Sequence, residues 1–296
     1  MNGTHPVEVW EYFAMSRALV LGGGGATGVA WLIGVLQGMA EGGVDTHQAD
    51  LVIGTSAGSI VGARLADGQD FGTMAKDQLN NDGALATEAM GAMDFMEFMG
   101  VAGAWAEIAD NTPASLLPIT QLALKSKTLP EARMRELLNA DVAEHWPASA
   151  FRCSAVDAAT GEFVVLDASS GVSLADALSA SICVPGIFAP VLVGGRRLVD
   201  GGLYSGTCAE LAAGHDSVLI IAPIGSRSDG MDPAAGAQIA RESAALQAGG
   251  AKVTTLLPDE AANEVIGINR MDASISAAVM AEGRRQGKAL AANLTW

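Results

Sequence analysis

The sequence predicts an α/β fold in which a mostly parallel sheet is covered by helices on both faces. Short, continuously apolar runs such as residues 17–21 (Arg-Ala-Leu-Val-Leu) and 50–53 (Asp-Leu-Val-Ile) alternate with helix-like runs. Strands buried on both sides of a parallel sheet read this way, because no face is left for polar residues. The first two strand-to-helix joints are rich in glycine: residues 22–28 read Gly-Gly-Gly-Gly-Ala-Thr-Gly, and 54–58 read Gly-Thr-Ser-Ala-Gly. Finally, 50% of the 296 residues are hydrophobic, enough to bury a large core.

The elements follow in order. Residues 1–16 form a polar–aromatic lead-in, and 17–296 are read as a single domain with one insertion. A first buried strand at 17–21 leads to a helix at 29–42, and a second at 51–53 leads to a helix at 56–67. Residues 71–129 break the rhythm: they hold helix-like pieces, Met-rich patches, Pro113 and Pro118, and no clear strand, which suggests a helical cap. Helix continues over 130–139, and β signals resume as a strand pair at 151–156 and 162–167. A helix is expected over 173–182, with Ser173 as N-cap and Asp176 three residues on. Strands at 191–193 and 197–199 flank a Gly194-Gly195 hairpin turn, further strands fall at 217–222 and 252–257, and a closing helix spans 273–294.

Charge narrows the function. A formal net charge of −16 is unsuited to nucleic acid, where Lys and Arg must neutralise phosphates, and to electrostatic docking on anionic lipid. Three dispersed cysteines, Cys153, Cys183 and Cys208, without a Cys-x-x-Cys, read as buried thiols of a reducing compartment; with four histidines they give a metal site few ligands. Glu8 and Glu11 precede the first arginine, so no secretory signal is expected. Residues 18–40 carry no charge and could span a bilayer by length, but seven are glycine and four of those are consecutive, which breaks a helix. A cytoplasmic protein in at most transient contact with membranes is expected, its oligomeric state open.

The chemistry lies in the two glycine motifs. In Gly54-Thr-Ser56-Ala-Gly58 a serine stands on a strand-to-helix turn, where flanking glycines let the backbone fold back and project the hydroxyl clear of the sheet. Ser56 is thus a candidate nucleophile; the bland reading makes it the N-cap of its helix. The other loop, Gly23-Gly24-Gly25-Ala26-Thr27-Gly28, also matches the dinucleotide pattern Gly-x-Gly-x-x-Gly. That reading needs an acid at the end of the second strand, yet Asp45 and Asp50 both precede it. For a base, the order Ser56, Asp200, His215 fits a hydrolase triad. His215, however, directly precedes a strand, whereas catalytic groups of such sheets collect where strands end. Asp200 does follow a strand, at the turn Asp200-Gly201-Gly202.

With these motifs in view the chain resembles the patatin-like phospholipases, acyl hydrolases of a three-layer α/β fold. The resemblance covers about residues 17–203 and rests on four stretches in order: Gly23 to Gly28, Gly54 to Gly58, the Ala-Ser-Ile-Cys-Val-Pro-Gly-Ile-Phe-Ala-Pro segment at 180–190, and Asp200 to Gly202. It implies a Ser56–Asp200 dyad, an oxyanion hole from the backbone N–H groups of Gly24 and Gly25 with help from Ala57, and a lipid or other acyl ester as substrate, with no metal, nucleotide or organic cofactor. Two positions depart from the family pattern: Thr27 stands where Arg or Lys is usual, and Ser205-Gly206-Thr207 replaces the usual Asn-Pro. A catalytically silent lipid- or partner-binding module on the same fold therefore stays open. So does the dinucleotide-binding reading.

Within the insertion, Met90, Met93, Met96 and Met99 recur every third residue, interleaved with Phe95 and Phe98. The stripe suits either a packed helix or an adaptable acyl-chain groove in a cap over Ser56.

Overall fold

A computed structural model describes residues 15–296 apart from 82, 109, 140–144 and 227–232. The expectation for the lead-in therefore falls almost wholly outside the described residues. The chain order is β1 (Arg17–Leu21), α1 (Gly25–Glu41), β2 (Leu51–Gly54), α2 (Ala57–Ala66), α3 (Phe71–Asn80), α4 (Ala84–Ala92), α5 (Phe95–Ala106), α6 (Pro113–Ala123), α7 (Glu131–Asn139), β3 (Ala150–Asp157), β4 (Phe163–Leu166), α8 (Leu174–Ser181), β5 (Val191–Val193), β6 (Arg196–Asp200), β7 (Ser217–Ile221), α9 (Pro233–Ala248), β8 (Lys252–Leu256), α10 (Glu260–Ile266) and α11 (Ser276–Ala291). The expected mixed α/β class and the glycine hairpin are present, and residues 71–123 carry helices α3 to α6. Helices α9 and α10 are additions the sequence reading missed, and α11 is shorter than the run 273–294 because residues 273–275 form a 3-10 turn.

One sheet holds eight strands in the order β5-β6-β3-β2-β1-β7-β8, with β4 also paired to β3. Strands β3, β2, β1, β7 and β8 run parallel. Alternate side chains of β1 enter different layers: Leu19 and Leu21 pack with α1 and α2, while Ala18 and Val20 pack with β7 and Ile239 and Leu246 of α9. This two-faced burial accounts for the uninterrupted apolar strands.

Strand β3 carries the decisive register. Its Cys153 and Ala155 both pair with β4 on one edge. On the other edge Cys153 pairs with Gly54 of β2 and Ala155 with Asp200 of β6. Strand β2 runs parallel to β3 and β6 antiparallel, so the C-terminal ends of the two strands meet head-on along one edge, separated by the width of Ser154.

Helices α1 and α11 pack backbone against backbone. A Cβ at Gly34 would lie 2.2 Å from the Met280 carbonyl, and one at Gly38 equally close to that of Arg284. From the other side, Gly283 and Gly287 would meet the Trp31 and Val35 carbonyls at 2.3 and 2.1 Å. Four glycines in two Gly-x-x-x-Gly pairs thus set the interhelical distance, with Trp31 Nε1 donating to Gln286 Oε1 at 3.0 Å in the buried seam. Gly287→Val should cost about 3 kcal/mol in urea unfolding, because the branched chain must push the helices apart. Gly100→Ala, in a helix with no atom near the new methyl, should instead stabilise by about 0.5–1 kcal/mol.

Candidate active site

Ser56 follows β2 and precedes α2 with φ 52° and ψ −120°. Among the described residues only it and Cys208 hold a positive φ without being glycine. A non-glycine residue in this region stores about 1–3 kcal/mol of strain, sustained by its surroundings. Here those surroundings are close backbone contacts. A Cβ at Gly58 would fall 1.9 Å from the Leu21 carbonyl oxygen, and one at Gly54 would fall 2.5 Å from the Gly58 carbonyl. Any other residue at either position would lift α2 off the ends of β1 and β2. The capping reading is not supported: the Ser56 side chain makes no cap hydrogen bond to its helix. Its backbone N–H donates to Ser181 Oγ at 3.1 Å.

Asp200 ends β6 and is 1% exposed; Ser56 is 8% exposed. The Asp200 carboxylate accepts a hydrogen bond from Gly202 N–H at 2.7 Å. Burial pushes the Asp200 carboxyl up to about 7, and the neighbouring Ser56 side chain and the Gly202 hydrogen bond, which favour the charged form, only partly oppose this. Asp200 N–H in turn donates to the Cys183 carbonyl at 2.9 Å. The end of α8 and the residues after it therefore brace both groups, Ser181 from one side and Cys183 from the other. Ser154 fills the gap between the strand ends, with its Oγ 2.9 Å from Thr55 Oγ1 and in the space a Cβ on Gly201 would need.

The loop between β1 and α1 passes beside the serine, where a Cβ on Gly23 would sit 3.2 Å from Ser56 Cβ. Gly22 and Gly23 N–H groups are spent on Ile221 O and Gly206 O, each at 2.9 Å. Those of Gly24, Gly25 and Ala57 have no partner among the described residues. They head the first turns of α1 and α2, where helix geometry leaves donors unpaired and the helix dipole is positive. Gly25 has φ +63°, and a side chain there would strike the Arg270 carbonyl at 2.6 Å. Arg270 also accepts from Thr27 N at 3.1 Å, and its guanidinium donates to Pro223 O at 2.9 Å. Pro223 packs on Gly24 and Gly28. The loop is thus clamped by a residue nearly 250 positions away.

The patatin-like phospholipase family model matches residues 19–213, two-thirds of the chain. The chain belongs to the patatin-like phospholipase family. Curated relatives include the uncharacterized NTE family proteins Mb2594 of Mycobacterium bovis and Rv2565 of Mycobacterium tuberculosis, each 31% identical over 214 residues, or 70% of this chain. The chain spans about a third of the length of these relatives. Two solved structures are similar in outline: VipD from Legionella pneumophila (TM-score 0.46, 14% identity, 94% of this chain and 66% of that one) and the type III effector ExoU (TM-score 0.43, 19% identity, 94% and 53%).

In this patatin-like chain no histidine among the described residues stands beside Ser56. His215 lies just before β7, at the opposite end of the sheet from Ser56, with Nδ1 3.0 Å from Ala212 O. His47 contacts Asp45 at 3.1 Å and Gln69 O at 3.1 Å, His145 is exposed, and His5 lies outside the described residues. Asp50 accepts from Arg17 N–H at 2.7 Å, so neither acid of the dinucleotide reading reaches the glycine loop. The three cysteines are buried, and burial raises each thiol well above its ordinary range.

A cavity of about 1120 Å³ opens at Ser56. Ser56, Ile60, Arg64 and Asp67 line it from a single face of α2, at helical spacing, so it extends along that helix for about 16 Å. Leu85, Leu138, Leu174, Leu178, Val184 and Phe188 give it apolar walls, and Gln69, Gln78, Asn80 and Asn81 a polar rim at the far end. The Met–Phe stripe takes no part. Met93 and Phe98 pack on the main core, whereas Phe95, Met96 and Met99 are exposed, so the stripe is neither a buried helix face nor an acyl groove. Residues 71–129 reach the cavity through Gln78, Asn80, Asn81 and residues 83–86 instead.

Asp200 also has a thermodynamic signature. A carboxyl raised from 3.8 to about 7 binds its proton more tightly folded than unfolded, so its favourable contribution is full below pH 4 and lost as pH rises through about 7. Asp200→Asn should therefore flatten the stability–pH profile between pH 4 and 7. It should be more stable than wild type at pH 8 by on the order of 2–4 kcal/mol in urea melts.

Proposed function

We propose that this protein is a serine acyl hydrolase that cleaves carboxylic esters of lipids through a Ser56–Asp200 dyad. The observation that carries this reading is the pairing of a strained, near-buried serine with a buried carboxylate whose proton affinity is raised to about 7. An ordinary aspartate is too weak a base for a hydroxyl, and desolvation closes part of that gap. Asp200 takes the Oγ proton as Ser56 attacks the ester carbonyl, and the Gly24 and Gly25 N–H groups, with Ala57, receive the charge that develops on the carbonyl oxygen. Collapse of the tetrahedral intermediate expels the alcohol, which leaves with the proton held by Asp200. Water then attacks the acyl-serine with Asp200 again as base, releasing the acid and restoring Ser56. Each preorganised N–H donor is worth about 3 kcal/mol of transition-state stabilisation. No metal or organic cofactor enters this sequence. The acyl chain runs along α2 between the apolar walls of the cavity, and Arg270 substitutes by its main-chain and Pro223 contacts for the cation the family usually carries at Thr27.

A fluorophosphonate probe tests the dyad. Wild type and His215→Ala should label, and Ser56→Ala and Asp200→Asn should not; an unlabelled, folded wild type would leave the silent binding module as the better description. Because the base must be ionised, kcat/KM for a soluble ester should fall about tenfold per unit as pH drops below about 7. A profile flat down to pH 5 would remove Asp200 from the role of base.

Chain-length preference tests the cavity. Ile60→Trp, one turn beyond Ser56, should block the channel and lower kcat/KM for a twelve-carbon ester at least tenfold relative to a four-carbon one. Across an ester series, Met93→Ala should leave the ratio unchanged.

A further inference from the structure

One carboxylate, on a helix late in the chain, grips the segment that follows the Asp200 turn. Ser205 is 1% exposed and Thr207 fully buried, in the stretch that replaces the usual Asn-Pro. Both hydroxyls donate to Glu242 of α9: Ser205 Oγ to Oε1 at 2.6 Å, and Thr207 Oγ1 to Oε2 at 2.5 Å. Ala209 N–H reaches the same Oε2 at 3.2 Å. Ser205 Oγ in turn accepts from the N–H groups of Thr207 and Cys208, at 3.2 and 2.9 Å. One turn earlier on the same face of α9, Gln238 Nε2 donates to Tyr204 O at 3.1 Å. Cys208, at φ 50°, shares with Ser56 a backbone conformation that only its surroundings sustain.

The gripped turn lies between the two halves of the site. At its start the N–H groups of Tyr204 and Ser205 return to Gly201 O at 2.9 and 3.0 Å, within the Asp200-Gly201-Gly202 turn. At its centre Gly206 O accepts from Gly23 N–H at 2.9 Å, and a Cβ on Gly22 would come within 3.0 Å of the same oxygen. On another side a Cβ on Gly206 would strike Ile224 Cδ1 at 2.7 Å. Gly23 is the last anchored amide before the free N–H groups of Gly24 and Gly25. Glu242 itself lies beyond residues 19–213, so the grip pairs a residue outside the family match with hydroxyls at a departure from the family pattern.

We propose that Glu242 is a positioning residue of the site. It fixes the 205–209 turn, and through Gly206 O it holds the glycine loop in the geometry that receives the oxyanion. Glu242 touches no reacting atom. Its catalytic effect rests on the acyl-hydrolase reading, whereas its hold on the loop is measured without any substrate.

Two variants attack the grip from opposite sides. Glu242→Gln keeps the size of the side chain and turns one acceptor oxygen into a donor, and Ser205→Ala/Thr207→Val removes the hydroxyls. Amide hydrogen exchange reads the hold directly. The Gly22 and Gly23 amides should exchange at least tenfold faster in both variants, while the amides of β1 and β2 stay as in wild type. For a water-soluble short-chain ester, kcat per serine titrated with a fluorophosphonate should fall about ten- to a hundredfold, with KM within twofold. A displaced donor weakens the transition state and not the bound ester. The triple variant should fall no further than either parent, because all three residues act through one contact. A residue that only supports the fold would lower the number of titrated serines or the Tm and leave kcat per serine unchanged. Unchanged exchange of the loop, unchanged kcat per serine, or a rise in KM in place of the fall in kcat overturns the proposal. If wild type neither labels nor hydrolyses the ester but the loop loosens in both variants, the hold of Glu242 stands and the hydrolase reading falls.

Discussion

Two strands that end against each other on one edge of β3 set the chemistry of this molecule. Because β2 runs with β3 and β6 against it, their C-terminal ends converge on Cys153 and Ala155, one residue apart. A serine that follows one strand and an aspartate that ends the other are brought together by main-chain register, before any side-chain preference acts. The same ends exclude solvent, since the sheet is covered on both faces and the end of α8 with the residues after it closes over the gap through Ser181 and Cys183. Burial of Asp200 is therefore a property of the topology and not of a local pocket.

The register also sets an opposition between stability and reactivity. A carboxylate kept from water favours its proton, and a serine at positive φ sits above its relaxed backbone energy. Both costs are borne by interactions that have no tolerance for larger residues: backbone oxygens of β1 packed on Gly58, and Ser154 packed on Gly201. The glycines of these motifs are required by contact distance as much as by dihedral freedom.

The strands, the serine turn and the glycine loop were legible because each is a local pattern: an apolar run, then residues that permit a tight turn. Asp200 was weaker, since Asp-Gly-Gly is an ordinary turn, and it gained meaning only from its order among the other motifs. Ser181 and Cys183 lay inside the quoted 180–190 segment, but their contacts depend on how that segment folds back. Arg270 left no signal, because a backbone carbonyl meeting a loop nearly 250 residues earlier has no residue-type requirement. Helix α9 escaped notice for a different reason. Its run Pro-Ala-Ala-Gly-Ala-Gln-Ile-Ala-Arg-Glu-Ser-Ala-Ala-Leu-Gln-Ala buries little beyond Ile239 and Leu246, so small residues hide its apolar stripe. The Met–Phe stripe misled in the opposite sense, because apolar periodicity predicts a face without saying what covers it.

The glycine seam between α1 and α11 has a bearing on time. Trp31 and Gln286 are 255 residues apart in sequence, and Arg270 reaches Thr27 across 243. The loop beside Ser56 is thus completed by a part of the chain synthesised 243 residues later, and closing so long a loop is entropically slow. During synthesis the serine turn, the aspartate and most of the sheet can assemble while the glycine loop still lacks its clamp. An emerging chain consequently holds Ser56 on its turn while the glycine loop beside it stays unheld until the segment that carries Arg270 folds back onto it.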